Sequence, residues 1–238
     1  EWSTVDQSGE VRLKNTSGDA RGDRARFDRA GDSVSLTGSV VLTDDSSQTR
    51  AQAATFRESV RELRAEGNVS TTEMAKSGAA TGTKPEPSHI SSAHMLTDTA
   101  SGRAVYSGKA RLWQGDSVIQ ADTIELDRSK RTLVATGKAN AIFPQSRRAQ
   151  AQDKSGARPS PPSFWRAEAG RMVYEEDQHR ARLEQGAYAR SDDGSMRADR
   201  MDLLFGPSAG GKPGAANSRS GSGLGASLEG QQVQQAQG

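Results

Sequence analysis

Residues 106–141 read YSGKARLWQGDSVIQADTIELDRSKRTLVATGKANA, and the fold prediction starts from the pattern in them. Apolar and polar residues alternate on both sides of a short polar segment, residues 128–130. Alternation with a period of two predicts β-strands with one buried face, and the polar segment predicts a hairpin turn between them. Glycine occupies equivalent places on either side of that turn, at Gly108 and Gly137, which are 29 residues apart.

The same glycine pattern recurs along the chain, each time followed two places later by a small, β-branched or aromatic residue. The copies begin at Gly9, Gly38, Gly67, Gly108, Gly137 and Gly186. Their spacings are 29, 29, 41, 29 and 49 residues. The two long spacings contain Gly/Ser/Pro/Ala-rich segments, residues 75–89 and 146–163, which are predicted to be flexible loop insertions. Without them the period returns to about 29 residues, and each unit is predicted to hold two strands of roughly seven to ten residues.

The repeats predict the organisation of the whole chain. Residues 1–205 are expected to form one β domain that carries the two loop insertions. Residues 206–223 are predicted to be a flexible Gly/Ser/Pro linker, and residues 224–238 the start of a further, truncated repeat. The chain begins at Glu1 without a methionine, so we expect it to be a mature or excised piece.

The repeated glycine is expected in mid-strand on the apolar face. Glycine weakens a strand there unless it permits a bend or a close approach, so two interpretations arise: a bend of every second strand at one place, or unrelated bulges. The common phase of the copies favours the bend, which would curve the sheet along a line. Near Gly186 the apolar pattern is shifted by one residue. This predicts one extra residue between Leu183 and Gly186, and an inward-facing Tyr188.

The predicted inward face has many alanines and few large side chains, so its burial stabilises the sheet only modestly. One interpretation is a sheet that folds over and keeps a partly open apolar interior, which needs a ligand such as a hydrocarbon chain. The other is an ordinary narrow β-core filled by small residues. The candidate groove-lining residues are Phe27, Val34, Leu36, Val40, Leu42, Phe56, Leu63, Val69, Met95, Tyr106, Leu112, Ile124, Leu126, Leu133, Phe143, Met172, Tyr174, Leu183, Met201 and Leu203.

Composition argues against several classes of function. Lys and Arg number 32 and Asp and Glu 30, so the net charge of +2 does not indicate a nucleic-acid-binding protein. The absence of cysteine excludes disulfides and thiolate sites and is compatible with a bacterial envelope compartment. His89 in the first loop insertion, His94 and His179 are far apart in sequence and match no metal-binding spacing. No catalytic residue, metal or cofactor is therefore predicted.

Aspartates at three strand ends, Asp28, Asp98 and Asp127, could suggest acid–base pairs. Their position just before turns favours a different role, in which each carboxylate caps a turn by accepting backbone hydrogen bonds.

The pattern Ala-Asp-x-φ-x-φ-Asp, turn, φ-x-φ-x-Gly-x-φ (φ, apolar), seen in residues 106–141 and again in 36–69, resembles the OstA-like family. That family includes the periplasmic lipopolysaccharide-transport proteins LptA and LptC and the N-terminal domain of LptD. The resemblance covers residues 1–205 outside the loops. It implies an all-β fold, a twisted open β-jellyroll shaped like a folded taco, built here from two-strand repeats of about 29 residues.

For function, the resemblance implies a periplasmic bridge protein that shields the acyl chains of lipopolysaccharide, or a similar acylated lipid, and passes them toward the outer membrane. It implies head-to-tail joining to other jellyroll units by edge-strand pairing, here through residues 5–13 and 201–205. Arg111, Arg128 and Arg131 could meet lipid phosphates at the rim, or could be solvated charges. The alternative function is a structural or adhesive β-repeat scaffold with a filled core and no lipid ligand.

Overall fold

The structure, a computed structural model, describes residues 3–15, 18–74, 86–144, 163–206 and 232–237. These ranges contain thirteen β-strands and one short 3-10 helix, Glu176–Gln178, so the predicted all-β class is confirmed. No helix in the described ranges is long and apolar enough to cross a membrane. The strands are β1 (Thr4–Asn15), β2 (Gly18–Asp28), β3 (Ser33–Thr43), β4 (Ser47–Arg57), β5 (Glu62–Glu73), β6 (Ser88–Asp98), β7 (Arg103–Gln114), β8 (Ser117–Asp127), β9 (Thr132–Pro144), β10 (Phe164–Glu175), β11 (Arg180–Ser191), β12 (Gly194–Gly206) and β13 (Gln232–Gln237).

All thirteen strands form a single sheet whose spatial order is the order of the chain. Each strand pairs with the strands before and after it, and the pairing is antiparallel, as in β1 with β2 and β8 with β9. The sheet is open, with β1 and β13 as its two edges. The prediction that residues 201–205 form a joining edge is therefore wrong, because residues 202–206 pair with β13. Strands of 11 to 13 residues, such as β3 and β9, are longer than the predicted seven to ten, because the glycines lie inside strands and do not end them.

A β-bulge interrupts every odd-numbered strand from β1 to β11 at the same phase. At each bulge two consecutive residues with positive φ, such as Gly38 (77°) and Ser39 (47°), oppose a single residue of a neighbouring strand. A bulge bends its strand, so six bulges in one line bend the sheet where the repeat predicts it. The bulges are at Gly9–Glu10, Gly38–Ser39, Gly67–Asn68, Gly108–Lys109, Gly137–Lys138 and Gln185–Gly186.

The bulge line divides the sheet into two leaves that face each other. We call the side with residues 33–37 of β3 and their cross-strand partners the lower leaf, and the side with residues 40–43 the upper leaf. Thr71, in the upper leaf on β5, donates a hydrogen bond to the sulfur of Met95, in the lower leaf on β6, at 3.9 Å. The rings of Phe143 (upper, β9) and Phe205 (lower, β12) lie 4.9 Å apart. An upper-leaf strand therefore packs on lower-leaf strands up to three places further along the chain, which gives the folded, open jellyroll.

In the bulge of β11 the glycine is displaced by one residue from its place in the other bulges. The bulge begins at Gln185, and the glycine is its second residue. Leu183 and Ala187 flank it with the four-residue spacing found at the other bulges, so the predicted extra residue is wrong. For the same reason Ala187 faces inward, with no exposed surface, and the prediction that Tyr188 faces inward is wrong.

Steric contact with the preceding strand explains why the first position of this bulge holds glutamine and not glycine. A Cβ atom on Gly137 would lie 2.4 Å from Oδ2 of Asp122 on β8, so the first bulge position there has no room for a side chain. In β11 that position holds Gln185, and the preceding strand instead has Gly170, where a Cβ would lie 2.7 Å from Oε1 of Gln185. One member of each such pair must be small for the two strands to approach.

The predicted boundaries fall mainly outside the described residues. The loop insertions 75–89 and 146–163 are described only at their ends, and there residues 88 and 89 already belong to β6. Placing His89 in a loop was therefore wrong; it lies opposite Trp113 in the β6–β7 ladder. Of the predicted linker 206–223 only Gly206 is described, as the end of β12, and of residues 224–238 only β13 is described.

Candidate functional site

The inner face of the sheet consists of rows of side chains that run across the strands. In the lower leaf the row furthest from the bulges begins at β1 and continues through cross-strand partners to β5. We call these five residues the mouth strip: Val5, Phe27, Val34, Phe56 and Leu63. The same row continues through β12 to Leu203. Apart from Thr97 on β6, this row would offer a ligand between the leaves apolar or aromatic side chains.

The residues next to the bulge line on the upper leaf are small. Ala110, Ala121, Ala139, Ala169 and Ala187 occupy this row on successive strands, each at most 7% exposed. Small side chains at the bend let the backbones of the two leaves come close, so the larger side chains further out can meet across the interior. From β7 to β11, part of the alanine content of the inward face thus lies along the fold line.

None of the twenty predicted groove-lining residues is exposed, and all are placed on the inner face by their cross-strand partners. Fifteen are at most 4% exposed, from Leu36 on β3 to Leu203 on β12. The other five are partly exposed, and all lie on β2 to β5: Phe27, Val34, Leu42, Phe56 and Leu63. The inner face is thus accessible at its N-terminal end and covered further along the chain.

The offset between the leaves explains this gradient. Each lower-leaf strand is covered by upper-leaf segments from strands up to three places earlier in the chain. Within the described residues no upper-leaf segment lies ahead of β1 to cover the first lower-leaf strands; the mouth strip is partly exposed there, and Val5 is 43% exposed. From β6 to β12 the covering strands exist, and one contiguous cluster of buried residues fills the space between the leaves.

Sequence reasoning missed several large residues of this interior. Ile90 and Ile119 have no exposed surface, and Phe205 is 6% exposed. Ile90 follows directly on the segment predicted as a loop, which hid its strand. Ile119 stands five residues before Ile124, and this odd spacing means that strict alternation counted back from Ile124 places Val118 inward instead. The ring of Phe205 packs edge-on against Phe143 and Tyr174, a contact between distant segments that carries no local signal.

A polar seam closes one side of the interior. On the upper rim Glu73, Ser88, Gln114 and Ser117 occupy neighbouring strands and are 1–6% exposed. Arg128, in the turn after β8, reaches across from the lower leaf and forms an ion pair with Glu73. The Oε1 atom of Gln114 has no hydrogen-bond partner within the part of the chain that the structure describes.

The charges of the seam shift the ionisation of their neighbours. Burial acts to lower the pKa of Arg128, but the charge and hydrogen bond of Glu73 outweigh it, so that pKa is raised. Tyr106, buried beneath the seam and hydrogen-bonded to Thr71, has its pKa raised to about 12, chiefly by burial and also by the charge of Glu73. These groups keep their ordinary ionisation at neutral pH: the arginine is charged and the phenol is protonated.

The candidate rim arginines have protein partners. Arg128 binds Glu73, and Arg131 binds the buried Glu176 and also Asp177, at 3.0 Å. The guanidinium of Arg111 lies 5.3 Å from the ring centroid of Trp113 on the outer face. Arg128 and Arg131 are thus structural ion-pair partners rather than free rim charges.

The strand-end aspartates cap turns, as predicted. Asp28 accepts a hydrogen bond from the backbone of Gly31 (3.1 Å), and Asp98 from that of Ala100 (2.8 Å). Asp127 accepts from the hydroxyl of Ser129 at 2.6 Å and from a backbone amide, which lowers its pKa to about 2. No three His, Asp or Glu side chains in the described ranges are grouped so as to hold a metal ion.

Known proteins are similar to part of this chain. The sequence model of the family described as LptA/(LptD N-terminal domain) LPS transport protein matches residues 89–204, which extend from β6 into β12. Among solved structures, the chain is similar to LptH, the LptA homologous periplasmic component of the conserved lipopolysaccharide transport device from Pseudomonas aeruginosa, with 14% sequence identity and a TM-score of 0.44. That similarity covers 59% of this chain and 89% of LptH. No curated protein sequence matches the chain.

Proposed function

Residues 89–204 belong to the LptA/(LptD N-terminal domain) family of LPS transport proteins, and from this premise we propose that the chain is a periplasmic bridge component. In this proposal the apolar inner face shields the acyl chains of lipopolysaccharide, or of a similar acylated lipid, and passes them toward the outer membrane. The lipid is held without covalent chemistry, and its sugar and phosphate head stays in water.

The observation that carries the proposal is the mouth strip. It is a row of two aromatic and three aliphatic side chains, on one face of five adjacent strands, that remains partly exposed. A contiguous, partly exposed apolar row of this kind is typical of a binding site. The strip offers no side-chain hydrogen bonds, so its chemistry fits hydrocarbon. Each buried methylene contributes about 0.8 kcal/mol, so shallow contact with several acyl chains is enough for stable binding.

Edge-strand pairing is the second part of the proposal. Within the described residues β1 pairs only with β2, so alternate residues along its twelve-residue length present free backbone groups at one edge. Its bulge begins at Gly9, where a Cβ atom would meet nothing within 4 Å. Gln185 shows that a larger residue can occupy the same position with positive φ. A glycine at this edge is explained if a strand of a neighbouring jellyroll unit packs against β1, as β8 packs against Gly137.

The lipid part of the proposal is tested by photocrosslinking at two consecutive residues of β3. Val34 lies in the mouth strip, Ser35 points to the opposite face, and both are partly exposed. A photoreactive amino acid at Val34 should form an adduct with purified lipopolysaccharide, and one at Ser35 should not. Equal adduct yields from the two positions, or none at Val34, would refute the proposed function.

The edge part is tested separately with Gly9→Gln. The substitution has space in the isolated chain and carries only the backbone cost of a positive φ, so the unfolding midpoint should fall modestly, whereas association with other units should weaken. Analytical ultracentrifugation and crosslinking to a neighbouring unit measure that association. If the Gly9→Gln protein associates as strongly as the parent, β1 is not the joining edge.

A structural scaffold is the second candidate function, and one observation favours it. Between β6 and β12 the interior is packed, with Leu112, Ile124 and Met172 completely buried. A scaffold needs no more than this core. It predicts partner adducts from the edges of the sheet and no lipid adduct at Val34, so the same experiment separates the two functions.

A further inference from the structure

The interior of the jellyroll from β6 to β12 is closed to an acyl chain in the arrangement described. Leu112 and Ile119 have no exposed surface and sit between the leaves, so lipid beyond the mouth strip requires the leaves to part. The contacts that join the two leaves therefore decide where the interior can open.

Those contacts differ along the chain. Near β9 and β12 the leaves are joined by the edge-on aromatic contact of Phe143 with Phe205. Nearer the mouth, between β5 and β8, they are joined at the rim by the ion pair of Glu73 with Arg128. Separating the aromatic contact exposes apolar surface to water, which is costly. Separating the ion pair returns two charges to water, which offsets most of the lost attraction.

The surroundings of the ion pair also favour reversible opening. The side chain of Glu73 is 8% exposed and that of Arg128 is 32% exposed, so the carboxylate loses most of its hydration when the seam is closed. Ser88, Gln114 and Ser117 are buried beside it, and all three are polar groups that gain water on opening. A seam built for permanent closure would be apolar, because well-packed apolar residues commonly match or exceed a buried ion pair in stability.

On the basis of the proposed function, we infer that the two leaves part at this polar seam, which extends the groove from the mouth strip into the interior. The ion pair of Glu73 with Arg128 is the latch that holds the seam closed. The aromatic contact of Phe143 with Phe205 keeps the other end of the interior shut. Lipid at the mouth strip then gains access to the interior only while the latch is parted. The latch residues are positioning residues and make no contact with lipid in the closed state.

The test uses a disulfide across the latch. The chain has no cysteine, so Glu73→Cys with Arg128→Cys introduces a single defined pair. The matched control pair is Ser70→Cys with Ser91→Cys, which are cross-strand partners within the upper leaf and leave the seam free. Each pair is combined with a photoreactive diazirine-bearing aliphatic residue at Val34 or at Leu112, and purified lipopolysaccharide is the probe.

With the latch pair oxidised, adduct yield at Leu112 should fall at least ten-fold, and a reductant should restore it. Adduct yield at Val34 should stay unchanged, and oxidation of the control pair should change neither position. The inference is overturned if oxidation of the latch leaves the Leu112 yield unchanged, or if the reduced protein gives adducts at Val34 and none at Leu112. Absence of adducts at Val34 in every state refutes the proposed function itself.

A second variant keeps the inference falsifiable if the latch disulfide does not form. Glu73→Gln removes the charge and keeps the size of the side chain. It should raise the Leu112 adduct yield several-fold without changing the yield at Val34. An unchanged Leu112 yield in a folded Glu73→Gln protein, with folding checked by circular dichroism, contradicts the latch.

Discussion

The glycine of the β9 bulge, Gly137, is predicted to be required for the approach of the neighbouring strand as well as for its backbone conformation, and Gly137→Ala tests this. The φ of Gly137 is 81°, a left-handed conformation that costs an alanine roughly 1–2 kcal/mol. The lower entropy of the unfolded alanine chain returns about 0.4–1 kcal/mol. In addition, the new Cβ would lie 2.8 Å from Cβ of Asp122, and relieving such an overlap in packed structure costs about 1–3 kcal/mol.

Gly186→Ala is the matched control. Its φ is also 81°, but a Cβ there meets nothing within 4 Å. Both substitutions therefore carry the backbone cost, and only Gly137→Ala carries the overlap. We expect the free energy of unfolding of Gly137→Ala to be lower than that of Gly186→Ala by about 1–3 kcal/mol.

The measurement is urea denaturation followed by circular dichroism and tryptophan fluorescence. A double substitution sharpens it: Gly137→Gln with Asp122→Gly copies the arrangement of Gln185 and Gly170 and should recover part of the stability that Gly137→Gln loses. The reasoning fails if Gly137→Ala and Gly186→Ala are equally destabilised, or if the double variant is no more stable than Gly137→Gln alone.

Three further predictions concern turns and core. The pKa of Asp127 is lowered to about 2, first by the hydroxyl of Ser129, so its carboxylate stabilises the fold fully above the ordinary pKa of 3.8 and loses this effect as the pH falls toward 2. In Asp127→Asn, the free energy of unfolding in urea should therefore change less between pH values of about 5 and 2.5 than it does in the parent. Burial raises the pKa of Tyr106 from 10.0 to about 12, so the free energy of unfolding should fall as the pH rises through this window. Between pH values of about 9 and 11, this free energy should fall less in Tyr106→Phe than in the parent. Leu112→Ala removes a completely buried side chain and should lower the free energy of unfolding in urea by about 2–5 kcal/mol. Phe27→Ala, in the partly exposed mouth strip, should lower it less. Equal losses would mean that the mouth strip is covered.

Much of the fold follows from patterns that repeat locally. Alternation places residues such as Leu36 and Leu133 on the inner face, because successive side chains of a strand point to opposite sides. The recurring glycine locates the bend, because few other residues adopt positive φ beside a close neighbouring strand. The turn aspartates follow from their position before short polar segments. These features depend on residues only a few places apart, which is why the sequence contains them.

The features that define the site depend on residues far apart in the chain. Glu73 and Arg128 are 55 positions apart, and no spacing in the sequence joins them. Their contact arises from the offset between the leaves, which is set by the bend and twist of the whole sheet. The exchange of Gln185 and Gly170 needs two strands to be compared at once, so the glycine repeat alone gives the wrong phase there. How far Phe27 and Phe56 are exposed likewise depends on the upper-leaf segments of strands earlier in the chain.

The purely sequential strand order makes the length of this protein easy to change during evolution. Each hairpin touches its own neighbours and lower-leaf strands no more than three places further along. Duplication or loss of one 29-residue hairpin therefore returns later strands to an equivalent environment. An internal gain or loss of a single strand would instead exchange bulged and unbulged strands downstream. Natural variants of this architecture should therefore differ in length by whole hairpins.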